Sequence, residues 1–65
     1  MYDYINEKIE LLRDFCILRH KAKKQEAAVR SILAGCKSEI QMEQKLHNVL
    51  YGAESLKDLI NRELN

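Results

Sequence analysis

Phe15-Cys16-Ile17-Leu18-Arg19-His20-Lys21-Ala22-Lys23-Lys24-Gln25 is the stretch on which the fold turns. It passes from apolar to basic residues and holds neither proline nor glycine. If the apolar phase survives this passage, one helix runs through it; if the phase slips, the chain breaks there. The phase survives. Tyr4, Leu11, Phe15, Leu18, Ala22, Gln25, Val29 and Ile32 follow the three-and-four steps of a heptad seam, with one step missing at Lys8. This predicts one helix over residues 3–34, about 48 Å long. Asp3 is placed to accept from its first free N–H groups, and Glu7 and Glu10 oppose the positive end of its dipole.

Beyond this rod, Gly35 is the expected stop, since glycine readily adopts the left-handed backbone just past a helix end. Ser38 and Gln41 have the spacing of a capping box, and Glu39 and Glu43 suit the first turn of a new helix. Met42, Leu46, Val49, Ala53, Leu56 and Ile60 then continue in steps of four and three. They predict a second helix over 39–64, with Gly52 inside it at a cost of about 1 kcal/mol. The competing reading ends a helix at Tyr51 and restarts at Ser55, because glycine often stops helices. A short loop between long helices folds them antiparallel. The expected fold class is all-α: a two-helix hairpin spanning 1–65 as a single domain, with Ala22 opposite Gly52 and Ala53.

The first helix carries more apolar surface than one partner helix covers. Ile5, Ile9, Leu12 and Cys16 form a second stripe beside the seam, and Leu59 lies off the seam of the second helix. Left in water, four such side chains would cost on the order of 6–12 kcal/mol relative to burial. A chain of 65 residues has a marginal core to begin with. The expected solution is a homodimer that packs two hairpins into a four-helix bundle, with Ile5, Ile9, Leu12, Cys16 and Leu59 at the interface. Gln25, polar within the seam, would fix its register.

Past Cys16 the same face turns basic through Arg19, Lys23 and Arg30. From Arg19 to Lys24 there are four Lys or Arg and no acid. A solvated helix face is the ordinary explanation of such a run. The functional explanation is contact with phosphate or an acidic partner.

The chemistry is sparse. Cys16 and Cys36 form no C-x-x-C pair, and in the hairpin they stand about 30 Å apart, too far to bridge. Free thiols point to a reducing compartment, so a cytoplasmic location is expected. Cys16 and His20 from two copies would offer four zinc ligands, but no carboxylate is placed to orient His20, and no metal or cofactor is expected. No nucleophile–base–orienter set is present, no phosphate-cradling loop surrounds either glycine, and a hairpin has no obvious cleft. An enzyme and a small-molecule substrate are therefore not expected. Net charge is +1, which argues against a wholly electrostatic binder. No apolar run approaches the ~18 residues of a membrane span, and the first four residues carry an acid where a signal peptide carries base.

The function expected from these readings is that of a small regulatory or adaptor protein. It would act through protein–protein contacts of a dimeric hairpin, with a protein partner the residues do not specify. One alternative is a regulator that binds RNA or DNA through Arg19, Lys23 and Arg30. Another is a small secretion-type chaperone, stable as a heterocomplex. The size also suits compact regulators of gene-dense genomes such as those of phage and plasmids.

Overall fold

A computed structural model of the chain describes residues 2–18 and 23–65. Every regular element in them is helical: α1 (Tyr2–Asp14), α2 (Lys23–Ala34), α3 (Glu39–Tyr51) and α4 (Leu56–Leu64). The all-α expectation holds, but the two long rods do not. The helix expected over 3–34 is interrupted after Asp14, and the one expected over 39–64 is interrupted after Tyr51. The greatest extent of the molecule is 27 Å, which no 48 Å rod could fit.

The first interruption is a helix cap built without a glycine. The Cys16 N–H donates to the Arg13 carbonyl at 2.9 Å, and the Ile17 N–H to the Leu12 carbonyl at 2.9 Å. This is the double bond pattern of a Schellman motif, with Cys16 in the left-handed position at φ 58°. A non-glycine residue there costs roughly 1–2 kcal/mol. The turn brings Leu18 into the core and lets α2 fold back over Ile5, Ile9 and Leu12. Burying those three is worth roughly 4–9 kcal/mol at about 1.5–3 each, so packing outweighs local strain. No local signal near Cys16 announces the turn, which is why the seam reads straight through it.

The strain at Cys16 has a measurable consequence. Cys16→Gly is expected to stabilise the chain by about 1 kcal/mol in urea unfolding, the relief being partly offset by glycine's greater freedom in the unfolded chain. A variant less stable than the natural chain would show that the exposed thiol makes a contact worth more than the strain.

The second interruption agrees with the competing sequence reading. The Gly52 N–H and the Glu54 N–H both donate to the Asn48 carbonyl, at 3.1 and 3.3 Å. Ser55 then caps α4, its hydroxyl accepting from the Asp58 N–H at 3.1 Å. A Cβ on Gly52 would stand 3.1 Å from the Cα and the carbonyl oxygen of Asn48, so close approach of backbone favours glycine here. The helix α2 ends at Ala34, just before Gly35, as expected, but not through a left-handed glycine. No glycine has positive φ, and the Gly35 N–H simply continues the helical pattern to Ser31 and Ile32. At α3, Ser38 accepts from the Gln41 N–H as expected, at 3.3 Å. Gln41 reaches back one residue farther than a capping box requires, to the Lys37 N–H at 2.9 Å.

Cross-links between helices set their directions. Arg13 pairs with Glu26, and Arg30 donates to Asn6 Oδ1 at 2.7 Å, so α1 and α2 run antiparallel. Lys45 pairs with Glu63 at 2.7 Å across the short α3–α4 turn, so these two are antiparallel as well. Tyr4 and Lys8 both reach Glu43, which places the start of α1 beside the start of α3. The four helices thus alternate in direction around one shared core. That core holds Ile5, Ile9 and Leu12 from α1, Leu18, Val29, Ile32 and Leu33, Cys36, Met42 and Leu46 from α3, and Leu56 and Leu59 from α4. Ala22, expected opposite Gly52, lies outside the described residues.

The two stripes of the first helix have exchanged roles. Ile5, Ile9 and Leu12, expected to await a second copy, are the core face, and Leu59 joins them. Tyr4 and Leu11 of the seam are only half-buried, and Phe15 is exposed. The reason is geometric: bending the chain at Cys16 and Gly52 supplies in one molecule the four helices that straight rods would need two copies to supply.

Candidate interaction surface

The residues expected to mark an interface do not share a surface. Ile5, Ile9, Leu12 and Leu59 are inside, while Cys16 is exposed at the strained turn. Among the basic candidates, Lys23 is exposed at the first position of α2, and Arg19 lies outside the described residues. Arg30 is half-buried between α1 and α2, bonded to Asn6 and, at 3.4 Å, to Glu26. Its guanidinium links α2 to α1 through the neutral Asn6 amide and pairs with Glu26 on its own helix. Of the basic face read from the sequence, only Lys23 and Arg30 lie within the described residues.

What remains outside is a different set. Tyr2, Ile40 and Leu64 are exposed at the end where α1 and α3 begin and α2 and α4 finish, Tyr2 by 78% and Ile40 by 70%. Phe15 and Tyr51 are exposed at the opposite end, where the two bends lie. Between Tyr2 and Leu64 runs the outer face of α2, made of small exposed residues: Ala27, Ser31, Ala34 and Gly35. Grooves flank it on both sides and meet at Ser31. One, of about 240 Å³, is lined by Tyr2, Ile5, Arg30, Ser31 and Ala34. The other, of about 180 Å³, is lined by Ser31, Ile32, Gly35, Lys45, Glu63 and Leu64. Both fall below the roughly 300–1,000 Å³ of typical small-molecule sites and suit single side chains instead. A larger recess of about 450 Å³ at Gln41, Gln44, Lys45, Arg62 and Glu63 is walled by polar groups, several already paired with each other.

Sequence reasoning passed over Tyr2, Ile40 and Leu64. Tyr2 and Leu64 merely extend apolar spacings, at 3 before Ile5 and 4 after Ile60, to the ends of the chain. Ile40 sits out of phase with Met42 and Leu46 just after the Ser38 cap.

The surface electrostatics serve the fold. Glu43 accepts from the Tyr4 hydroxyl and from Lys8 Nζ at 3.1 Å, and these two bonds, in that order, hold its carboxyl below the ordinary range. Glu26 is lowered chiefly by Arg13, and Glu63 chiefly by Lys45. Lys8 is raised in turn by its bond to Glu43, and its ammonium also lies 5.0 Å from the centre of the Tyr4 ring. Depressed carboxyl values favour the folded state above the unfolded value and lose that contribution as pH falls through the folded value. Stability is therefore expected to decline as pH drops below about 4.3, and Glu43→Gln should flatten part of that decline. Urea midpoints at a series of acid pH values test this; an acid limb unchanged in the variant would remove Glu43 from the account.

No protein-family model, curated protein or solved structure matches the chain. Among the described residues, no helix is long and apolar enough to cross a membrane, and no group of three His, Cys, Asp or Glu could hold a metal ion. His20, half of the zinc set weighed from the sequence, lies outside the described residues.

Proposed function

We propose that this chain is a small non-enzymatic interaction module, regulatory or adaptor in role, that docks a protein partner on the outer face of α2. The observation that carries the reading is the pair of side-chain-sized grooves meeting at Ser31, bounded by exposed Tyr2 and Leu64. Ala27, Ser31 and Gly35 let a foreign backbone come close, and the large residues on either side would supply the buried contact area of an interface. Two free cysteines, Cys16 and Cys36, are consistent with a cytoplasmic setting. A regulator that binds RNA or DNA through Arg19, Lys23 and Arg30 and a small heterocomplex chaperone are the alternatives, and no specific observation favours either.

The test is photocrosslinking in the cells of origin from positions 2 and 64, with position 57 as control. One protein should be captured from the first two positions only. Purified, it should bind the natural chain at least about tenfold more tightly than Ser31→Arg, which fills both grooves. A captured protein indifferent to Ser31→Arg would refute the docking face.

A further inference from the structure

We infer that two copies of this chain can exchange α4: the Gly52–Ser55 bend straightens, α3 and α4 fuse into one helix, and each α4 packs against α2 of the other copy. This inference is independent of the α2 outer face.

The first ground is the unbroken apolar phase across the bend. Met42, Leu46, Val49, Ala53, Leu56 and Ile60 keep the three-and-four steps of a continuous helix through residues that do not form one. A bend of four residues places no constraint on the phase of the next helix. In the bent form the seam is also incompletely used: Val49 and Ile60 are only partly buried, and Ala53 is exposed.

The second ground is frustration inside the bend. Glu54 Oε1 pairs with Arg62 at 2.8 Å, but Glu54 Oε2 is buried with no hydrogen-bond partner. A buried carboxylate oxygen without a donor is a standing cost of the bent form. In a continuous helix Glu54 would come just after the seam residue Ala53 on the turn and reach water. At Gly52 an added Cβ would stand 3.1 Å from the Asn48 backbone, so glycine eases this bend and a methyl group there would weaken it. Gly52 costs a helix about 1 kcal/mol, but Ala53 and Glu54 are strong helix formers and the chain has no proline.

Against these stand the Ser55 cap and the Glu54 N–H bond to the Asn48 carbonyl, which favour the bend, whereas the Gly52 N–H bond to the same carbonyl is the ordinary helical one and is kept in either form. All of that is local. The burial of Leu56 and Leu59 and the Lys45–Glu63 pair are the same whether α4 comes from its own chain or from a second copy. The balance between the two forms therefore rests on four hinge residues and on concentration, the condition under which helix exchange is an inexpensive route to a dimer. A second copy is the only occupant that brings the matching Leu56, Leu59 and Glu63.

The test uses the full chain. Gly52→Ala, which crowds the bend and favours the helix, should lower the dimer dissociation constant in sedimentation equilibrium by roughly tenfold or more. Ala53→Pro should abolish dimerisation, because proline cannot continue the helix while the Ala53 N–H donates no bond in the turn. Exchange itself is read by mixing Lys45→Glu with Glu63→Lys, each unfolded and refolded together, both with and without the Gly52 change. Exchanged dimers restore opposite charges only in the mixed pair, so heterodimers should exceed the statistical half. A Gly52→Ala chain no more dimeric than the natural one, an Ala53→Pro chain still dimeric, or a statistical mixture would each overturn the inference.

Discussion

Ile9→Asp is expected to unfold the chain at every concentration, leaving no folded monomer to be found. Ile9 is 0% exposed at the centre of the α1 contribution to the core. The substitution forfeits about 1.5–3 kcal/mol of apolar burial. It also places a carboxylate where no donor reaches it, at an effective penalty of several kcal/mol. A chain of this length has a total stability on the order of 3–10 kcal/mol. The sum therefore matches or exceeds what is available. Circular dichroism and sedimentation of the variant separate two accounts of this face. If Ile9 belongs to the core of one chain, helicity is lost at all concentrations. A well-folded monomeric variant would instead return Ile5, Ile9 and Leu12 to a subunit interface.

Leu59→Ala should cost about 2–5 kcal/mol, and the damage should begin in α4. That helix has nine residues, too few to be helical in water without packing. Leu56 and Leu59 are its buried anchors, and Leu59 is 0% exposed. Once Leu59 is truncated, α4 should leave the core before α1–α3 unfold. Amide exchange in Leu56–Leu64 should then approach the unchecked rate while α2 keeps partial protection, and proteases should cut within residues 52–55. Undiminished protection throughout α4 in this variant would show that Leu56 and the Lys45–Glu63 pair suffice to hold it.

Some features are legible along the chain alone. Ser38 caps α3 because its hydroxyl needs only the N–H three residues on, and that geometry lies within one turn of chain. The stop at Tyr51 and restart at Ser55 are readable only as the competing reading, a glycine followed by a hydroxyl residue, because the apolar phase runs on through them. The turn at Cys16 is not readable. Nothing in Phe15–Leu18 disfavours a helix, and the left-handed residue is one that seldom adopts that backbone. The turn exists because Leu18 and α2 gain burial by it. The same cause misdirects the reading of the site. Ile5, Ile9, Leu12 and Leu59 do need cover, but the bends provide that cover in-chain. Tyr2, Ile40 and Leu64 are left as the exposed set.

The order of residues by itself determined that this chain is helical, which positions are apolar along each helix, and where a hydroxyl cap starts α3. Those outcomes depend on groups within four residues of one another, so they can be read along the line. Which apolar face turns inward, where the first helix ends, and whether Arg30 is free or engaged were decided only by the tertiary fold. Each depends on groups distant in sequence meeting in space: Ile9 with the α2 and α4 side chains of the core, Arg30 with Asn6, and Tyr4 with Glu43. A few kcal/mol of shared burial outweighs a local preference of one or two, and only the packed chain shows which burial is shared.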